Sequence, residues 1–334
     1  GETTREFEAA IADLVGSRHA VAVTSGTAAL YLALKAAGVG PGDEVIVPDV
    51  TFVATPNAVR AAGAEPILVD IQPETLTLDP EAVRQALSPR TKAIIPVHVS
   101  GRGGTIREIL ALAEKRGLLV IEDAAEALGG KCGGRSLGAL GRFGCFSFSP
   151  NKTLSTGQGG IVVTDDDDAA KRLRAIKDQG RTGPGTGGDD LHPDWGFNLK
   201  FTNLQAAVGL VQLRRLEGRL ARQRRIYSLY REGLAALKSV RVFPFDLERG
   251  ETPQWTDIEA DGRDLLDAFL RGKGIHCRKF WFPIHRQRPY AAEDARFPDA
   301  TRLLPRCLWL PSAFQMSDDD VLRVVKAISE HYRR

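Results

Sequence analysis

One lysine lies where it could become a nucleophile. Lys152 occupies a turn rich in Ser, Thr and Gly, between two apolar runs that read as strands, residues 144–149 and 160–165. A lysine that the backbone holds near apolar walls can lose its proton and attack a carbonyl carbon to form a Schiff base. Taken alone, Lys152 would be an ordinary solvated loop residue, so its interpretation depends on the rest of the chain.

A second segment could bind phosphate. Ser25, Gly26 and Thr27 follow the apolar run at 20–23 and open a helical pattern. Free backbone N–H groups and the helix dipole attract phosphate at such a junction, and Gly26 permits close approach. The G-x-G-x-x-G spacing of dinucleotide sites is absent, and Ser25 alone would be a simple N-cap. The glycine-rich turn at 101–105 is a weaker phosphate candidate, where we expect a tight connection.

A carboxylate ends another predicted strand. The apolar run at 118–121 leads into Glu122 and Asp123. Burying an ionised Asp is costly unless a cation meets it. A protonated heterocyclic nitrogen would be such a cation, and Asp123 would keep it protonated. An Asp that caps the next turn fits the same residues equally well.

Together these three features match the requirements of pyridoxal phosphate. The helix start would anchor the phosphate, Asp123 would keep the pyridine nitrogen protonated, and Lys152 would hold the aldehyde. None of the three is specific alone. Their order on an alternating α/β pattern makes pyridoxal phosphate the predicted cofactor.

The composition excludes several other classes of protein. Of the 334 residues, 43% are hydrophobic and 26% charged, and the net charge is +3. The chain has no basic face that would predict binding to nucleic acid. It also has no apolar stretch long enough to span a membrane and no signal-peptide pattern, so we expect no membrane partner. Gly1 leads straight into an amphipathic pattern at 7–14, so we expect a trimmed N-terminus.

The cysteine and aspartate patterns predict no metal site. The chain has four cysteines, Cys132, Cys145, Cys277 and Cys307. They form neither a C-x-x-C pair nor a metal-like spacing with histidine, which is typical of reduced thiols in a cytoplasmic protein. The four aspartates at 165–168 precede a helical pattern, where we expect an exposed capping loop.

Strand and helix patterns alternate over the first half of the chain. Strands are predicted at 20–23, 44–48, 66–70, 93–98, 118–122, 144–149 and 160–165. Helices are predicted at 27–37, 55–62, 80–87, 106–116 and 169–178. This order predicts an α/β fold with a mostly parallel seven-stranded sheet between two helical layers, whose ligands bind at the carboxyl ends of the strands.

The second half predicts a smaller unit. A Gly/Pro/Asp-rich loop at 180–195 precedes a helical region at 203–237, in which the arginine-rich stretch 214–225 reads as one helix with a solvated face. Further helices are predicted at 263–272 and 318–332, with an aromatic loop at 280–290. We therefore expect a large cofactor-binding domain at 1–237 and a small C-terminal α+β domain at 238–334.

With these motifs the chain resembles the DegT–DnrJ–StrS family of sugar aminotransferases, which have the type I fold of aspartate aminotransferase. The resemblance runs over nearly the whole chain. It rests on the segments 25–30, 122–127, 147–160, 196–198 and 283–285. It implies a pyridoxal-phosphate enzyme that acts as a homodimer with shared active sites.

The resemblance also implies a role for individual residues. Lys152 would form the Schiff base and move protons, Asp123 would pair with the pyridinium, and Glu126 would face the phenolic oxygen of the cofactor. The other cofactor contacts would be Gly26, Thr27 and Ser147 at the phosphate, Phe52 on the ring, and Asn198 from the partner subunit. The candidate substrate contacts are Lys200, Arg181, His285 and Arg288.

Three positions depart from the common family pattern. Many relatives have Gln or His in place of Glu126, Arg in place of Lys200, and Glu in place of Gln158. Lys lacks the bidentate fork of Arg for a donor carboxylate. The combination of Glu126 and Lys200 is most similar to the perosamine-synthase branch, which implies L-glutamate as donor and a nucleotide-linked 4-keto-6-deoxyhexose as acceptor.

Three alternative functions stay open. A sugar 3-dehydratase would carry His in place of Lys152, so this lysine argues against that activity. An aminotransferase for a keto-cyclitol or a keto-sugar acid fits the same motifs. A non-catalytic, cofactor-binding regulator would not need Lys152, Asp123 and Asn198 together.

Overall fold

The computed structural model describes residues 1–181, 183 and 191–333. Much of the predicted loop at 180–195, namely residue 182 and residues 184–190, lies outside the described residues, as does residue 334. Within the described residues, no helix has the length and apolar character needed to cross a membrane.

Helices and strands alternate from the first residues onward. The α-helices are α1 (Glu2–Val15), α2 (Gly26–Ala36), α3 (Ala54–Ala61), α4 (Pro80–Ala86), α5 (Ile106–Arg116), α6 (Asp167–Lys177), α7 (Asn203–Leu213), α8 (Leu216–Leu234), α9 (Arg263–Gly272), α10 (Pro298–Leu303) and α11 (Asp318–Tyr332). The strands are β1 (His19–Val23), β2 (Glu44–Pro48), β3 (Glu65–Val69), β4 (Thr91–Ile94), β5 (Leu119–Asp123), β6 (Lys131–Cys132), β7 (Arg135–Ser136), β8 (Phe143–Ser147), β9 (Gly160–Thr164), β10 (Val240–Val242), β11 (Thr256–Ala260), β12 (Arg278–Lys279) and β13 (Cys307–Leu310). Single 3₁₀ turns lie at Val99–Gly101, Ile284–Arg286, Arg288–Tyr290, Asp294–Arg296 and Leu304–Arg306.

The seven predicted strands form one sheet in the order β1-β9-β8-β5-β4-β2-β3. Only β9 runs against its neighbours, β1 and β8, and the other pairs are parallel. The predicted α/β fold with a mostly parallel sheet is confirmed. The fourth strand ends at Ile94, before the predicted end at 98. Pro96 has no N–H to donate to a ladder, so regular pairing is interrupted there, and an isolated parallel bridge between Val97 and Asp123 follows.

Helices cover both faces of this sheet because alternate strand residues point to opposite sides. On one face, Val45 and Val47 pack in a core with α2, α3 and α6. On the other, Ile46 packs in a core with α4 and α5. A further core includes Phe7 of α1 and Phe146 of β8.

A second, antiparallel sheet has the order β10-β11-β13-β12. Its core includes Ile226 and Tyr230 from the second half of α8, together with α9 and α11. The last part of α8 thus packs with the C-terminal sheet, while the domain boundary at 237/238 stays a prediction.

The arginine-rich stretch 214–225 is not one helix, as the leucine spacing had predicted. α7 ends at Leu213, Arg214 and Arg215 form a turn, and α8 begins at Leu216. Leu216, the first residue of α8, is buried. Leu213, Leu216 and Leu220 fit a helix on either side of the break, so their spacing could not reveal it.

Candidate active site

A cavity of about 320 Å³ lies where strands of the first sheet end, within the size range of small-molecule sites. The part of the lining that comes from the first half of the chain lies in the segments after β1, β2, β4, β5 and β8. These residues are Ser25, Gly26, Thr27, Leu30, Thr51, Phe52, Ala54, Val97, His98, Asp123, Ala125, Glu126, Ser147, Ser149, Asn151, Lys152 and Gln158. Seven of the predicted cofactor residues therefore line one cavity: Gly26, Thr27, Phe52, Asp123, Glu126, Ser147 and Lys152.

Lys152 points into this cavity from the turn after β8. Its backbone N–H donates to Ser149 O at 3.1 Å, which closes the turn. Its Nζ lies 3.2 Å from Glu126 Oε1, and its side chain is only 12% exposed. The turn therefore presents the amine to a largely enclosed space that also holds two carboxylates, Glu126 and Asp123.

Asp123 is the last residue of β5 and is held in one orientation. Thr55 Oγ1 donates to its Oδ2 at 2.8 Å, and Ala125 N–H donates to its Oδ1 at 3.2 Å. Burial raises the pKa of Asp123, although the Thr55 and Ala125 hydrogen bonds and nearby Lys152 oppose the shift. The surrounding protein thus stabilises the charged form of Asp123 only in part. A pyridinium nitrogen would supply the missing positive charge.

The start of α2 can hold a phosphate. Ser25 caps the helix, as predicted, by accepting a hydrogen bond from Ala28 N–H at 3.1 Å. The first N–H groups of a helix have no intrahelical acceptor, and Gly26 and Thr27 carry such groups here. A Cβ on Gly26 would come within 2.9 Å of Ser147 Cβ. Glycine at this position therefore lets the helix start meet the Ser147 hydroxyl, and these donors fit a phosphate group.

Glu126 is bound by residues that the sequence analysis did not single out. Its Oε2 accepts a hydrogen bond from Ser100 N–H at 2.8 Å, and its Oε1 accepts one from Trp255 Nε1 at 3.3 Å. Ser100 is fully buried and has φ 55° and ψ 11°, a left-handed conformation that is uncommon outside glycine. Lys152 completes the set of groups around this carboxylate.

Ser100 in turn links Glu126 to the second sheet. Its Oγ donates to Asp257 Oδ1 at 2.7 Å, and Trp309 Nε1 lies 3.2 Å from the same hydroxyl. Asp257 forms a buried ion pair with Arg102. Arg102 belongs to the turn at 101–105, which is the expected tight connection: Gly103 N–H donates to Glu251 Oε1 at 2.7 Å.

The other wall of the cavity comes from the second half of the chain. Its residues are Trp255, Arg278, Trp281 and Trp309. Only Trp281 falls within the aromatic loop at 280–290 that the sequence had marked. Trp255 and Trp309 have no spacing that ties them to Lys152, since the contact depends on how the two sheets pack.

Three of the predicted residues gather around Asp178, away from the lining of this cavity. Lys200 Nζ forms an ion pair with Asp178 Oδ1 at 2.6 Å. Asn198 pairs with Asp178 in an isolated antiparallel bridge, and Arg181 N–H donates to Asp178 O at 3.1 Å. The role of Asn198 in a partner's site, and those of Lys200 and Arg181 with substrate, stay predictions.

His285 has surroundings that differ from those expected of a sugar contact. Its side chain is fully buried, and its Nδ1 lies 2.7 Å from Asp49 Oδ2. Its backbone N–H donates to Asp49 Oδ1 at 2.6 Å, and its ring stacks on Phe297. His285 therefore ties the loop after β2 to the C-terminal part of the chain. Arg288, in the next 3₁₀ turn, does not line the cavity either.

Among the described residues, no group of three or more His, Cys, Asp or Glu side chains could hold a metal ion. Asp166 instead caps α6, in agreement with the predicted capping loop.

Comparison with known proteins places this chain in a family. The profile of the DegT/DnrJ/EryC1/StrS aminotransferase family matches residues 1–329. The GDP-perosamine synthase of Caulobacter vibrioides is 39% identical over 338 residues, which cover 97% of this chain and 89% of the relative.

Solved structures agree in fold as well as sequence. DesV of S. venezuelae, solved in complex with a ketimine intermediate, is 34% identical with a TM-score of 0.95, over 100% of this chain and 90% of that one. DesI, solved in the presence of its TDP-sugar product, is 37% identical with a TM-score of 0.89, over 100% and 88% of the two chains. The chain thus belongs to the DegT/DnrJ/EryC1/StrS aminotransferase family and is a pyridoxal-phosphate-dependent sugar aminotransferase.

Proposed function

We propose that this enzyme moves the amino group of L-glutamate to the carbonyl carbon of a nucleotide-linked keto sugar, with a 4-keto-6-deoxyhexose as the favoured acceptor. The observation that carries the proposal is the convergence of Lys152, Asp123 and the start of α2 on one cavity. The GDP-perosamine synthase name of one relative and the TDP-sugar product of DesI support the acceptor class.

Pyridoxal phosphate supplies an aldehyde that accepts the amino group and a ring that stabilises the electrons left when a proton is removed from the neighbouring carbon. The protein supplies orientation and proton transfer. The start of α2 and Ser147 would bind the phosphate. Phe52, which is 54% exposed in the described chain and lines the cavity, would cover one face of the ring.

Lys152 would have two tasks. It would hold the aldehyde carbon through a covalent bond from Nζ and, once displaced by the donor, accept and return a proton as a neutral amine. A lysine performs the second task only if its proton can leave. Glu126 Oε1, 3.2 Å from Nζ, is the nearest group that can exchange a hydrogen bond with it.

Asp123 would keep the ring nitrogen protonated. A buried carboxylate with a raised pKa gains most from a cation placed beside it, because the ion pair forms where water is excluded. The fixed hydrogen bonds from Thr55 and Ala125 leave it one orientation in which to meet that nitrogen.

A homodimer with shared sites is the second part of the proposal. Leu204, Val208 and Val211 recur at helical spacing on α7 and are 77%, 41% and 52% exposed in the described chain. A second copy would bury this apolar face and could bring Asn198 to the neighbouring cofactor. If so, Asn198→Ala should weaken cofactor retention, and mixing it with Lys152→Ala protomers should restore part of the activity. An unchanged cofactor affinity in Asn198→Ala would remove the shared-site assignment.

A nitrogen-transfer assay tests the acceptor class. The cofactor-loaded enzyme is given ¹⁵N-labelled L-glutamate and GDP-, UDP- and dTDP-linked keto sugars, and the products are analysed by mass spectrometry. We expect ¹⁵N in an amino sugar nucleotide. Label in a keto-cyclitol or a keto-sugar acid alone would favour the alternative acceptor class. No transfer to any acceptor by a loaded enzyme would contradict the proposal.

We place the reaction in the cytoplasm, since all four cysteines are free thiols.

A further inference from the structure

Arg278 brings a positive charge to the cavity from the second sheet. It is the first residue of β12 and pairs with Trp309 of β13. Its guanidinium lies 5.2 Å from the centroid of the Trp309 ring, and it lines the same cavity as Lys152. The aromatic face thus supports a cation in the wall of the cavity that the second half of the chain builds.

The neighbouring residue shows that this placement is particular to Arg278. Successive strand residues point to opposite faces of a sheet. Lys279 Nζ pairs with Asp264 Oδ1 at 2.7 Å and does not line the cavity. In the described parts of the chain, no ion pair is formed by Arg278, whereas Lys152, the other Lys or Arg of the lining, is paired with Glu126.

Among the described residues, the cavity lining thus has one Lys or Arg side chain, that of Arg278, without an ion-pair partner. Two of the four residues that the sequence offered for substrate contacts have other partners in this chain: Lys200 is paired with Asp178, and His285 is buried against Asp49. An exposed guanidinium on an aromatic platform has the planar fork that binds carboxylate and phosphate oxygens in pairs. Arg278 is the described cavity residue best suited to that task.

We infer that Arg278 binds an oxyanion of the substrate in the cavity, either the α-carboxylate of the amino donor or the diphosphate of the sugar nucleotide. The inference rests on the proposed function, because it assigns a residue to substrates of that reaction. Trp255, Trp281 and Trp309 would exclude water around the ion pair, which strengthens it. Arg278 would thus set substrate affinity, while the residues of the first sheet hold the cofactor.

The two half-reactions separate the two sources of the anion. Arg278→Gln removes the charge, Arg278→Lys keeps the charge without the fork, and Lys279→Gln is the matched control on the opposite face of the strand. Each loaded variant is mixed in single turnovers with L-glutamate, and its amino-loaded form is mixed with the keto-sugar nucleotide. The cofactor absorbance gives the rate at each substrate concentration.

We expect Arg278→Gln to weaken apparent substrate affinity by about 10- to 100-fold in at least one half-reaction, with a smaller loss in Arg278→Lys and none in Lys279→Gln. A loss confined to the glutamate half identifies the donor carboxylate. A loss confined to the nucleotide half identifies the diphosphate. Wild-type affinities in both halves for a folded Arg278→Gln would overturn the inference and leave the proposed function intact.

Binding measurements keep the test independent of turnover. Calorimetry of the loaded enzyme with 2-oxoglutarate, and separately with GDP, UDP and dTDP, asks whether either kind of anion needs Arg278. Binding that falls at least 10-fold in Arg278→Gln supports the inference even if the wild type fails to aminate sugars. Binding that is equal in wild type and Arg278→Gln, or absent from both, overturns it. Unchanged melting temperature and cofactor absorbance exclude misfolding as the cause of a loss.

Discussion

The two walls of the cavity are built in different ways. The wall that we propose holds the cofactor, the cofactor wall, follows the strand ends of the first sheet, and its polar groups are held by hydrogen bonds such as that from Thr55 to Asp123. The wall that we propose contacts substrate, the substrate wall, consists of the indole rings of Trp255, Trp281 and Trp309 and the guanidinium of Arg278. Among the described residues, Arg278 forms no ion pair. A shared cofactor imposes one set of contacts on a family, so the substrate wall is where this enzyme can differ from its relatives.

This difference decides how far the sequence could be interpreted. All seven strands of the first sheet were predicted, because buried strands and the helices between them have clear periodicities. Lys152, Asp123 and Gly26 were predicted for the same reason, since each lies at the end of a strand or in the turn that follows one. Helix and strand ends depended on details such as Pro96 and the turn at Arg214 and Arg215, which spacing does not encode.

The substrate wall was missed for a physical reason. Trp255, Arg278 and Trp309 reach the cavity only because the second sheet packs against the first, and local patterns carry no information on that packing. Ser100 is a further example: its left-handed backbone and its bonds to Glu126 and Asp257 arise from tertiary contacts. Within the described residues, His285 is hydrogen-bonded to Asp49 and Lys200 is paired with Asp178, and their roles with substrate stay predictions.

The largest expected effect is on the cofactor wall. Lys152→Ala removes both the covalent attachment and the proton carrier, so we expect single-turnover transamination to fall by at least about 10⁴-fold. Lys171→Ala, which alters a solvated ion pair on α6, is the control and should keep full activity. Persistent transamination by Lys152→Ala would remove this lysine from the chemistry.

The link between the two walls should show in stability. Arg102→Met leaves Asp257 buried without its partner, and we expect a loss of about 3–5 kcal/mol in the free energy of unfolding. Arg306→Met, which breaks exposed ion pairs with Glu259 and Asp261, should lose no more than about 1 kcal/mol. Urea denaturation of both variants measures the contrast, and equal losses would mean that the buried pair does not join the two sheets.

Asp123 should make cofactor binding depend on pH. Its pKa is raised by burial, so as the pH falls through that raised pKa the carboxyl becomes protonated and can no longer pair with the pyridinium. Cofactor affinity should therefore fall on the acidic side. Asp123→Asn should lose this part of the pH dependence and slow the donor half-reaction by about 10²-fold. Titrations of both proteins with cofactor over a pH series would contradict the assignment if the two curves coincide.

The smallest expected effect concerns the residues that hold Glu126. Trp255→Phe keeps the aromatic wall but removes the indole N–H that donates to Glu126 Oε1, and we expect a rate loss of about 3- to 10-fold. Glu126→Gln in the same background should make the Trp255 substitution less costly, because an amide oxygen accepts more weakly than a carboxylate. Additive losses in the double variant would show that Trp255 acts by packing alone.

The most direct test of the central assignment is the absorbance spectrum of the purified protein with pyridoxal phosphate, before and after L-glutamate is added. We predict a visible band of the Lys152-bound cofactor that glutamate converts to the spectrum of the amino-loaded form, and that a keto-sugar nucleotide then restores. A protein that shows no such band, or a band that persists with every amino donor tested, would contradict the assignment of Lys152 and Asp123 to transamination.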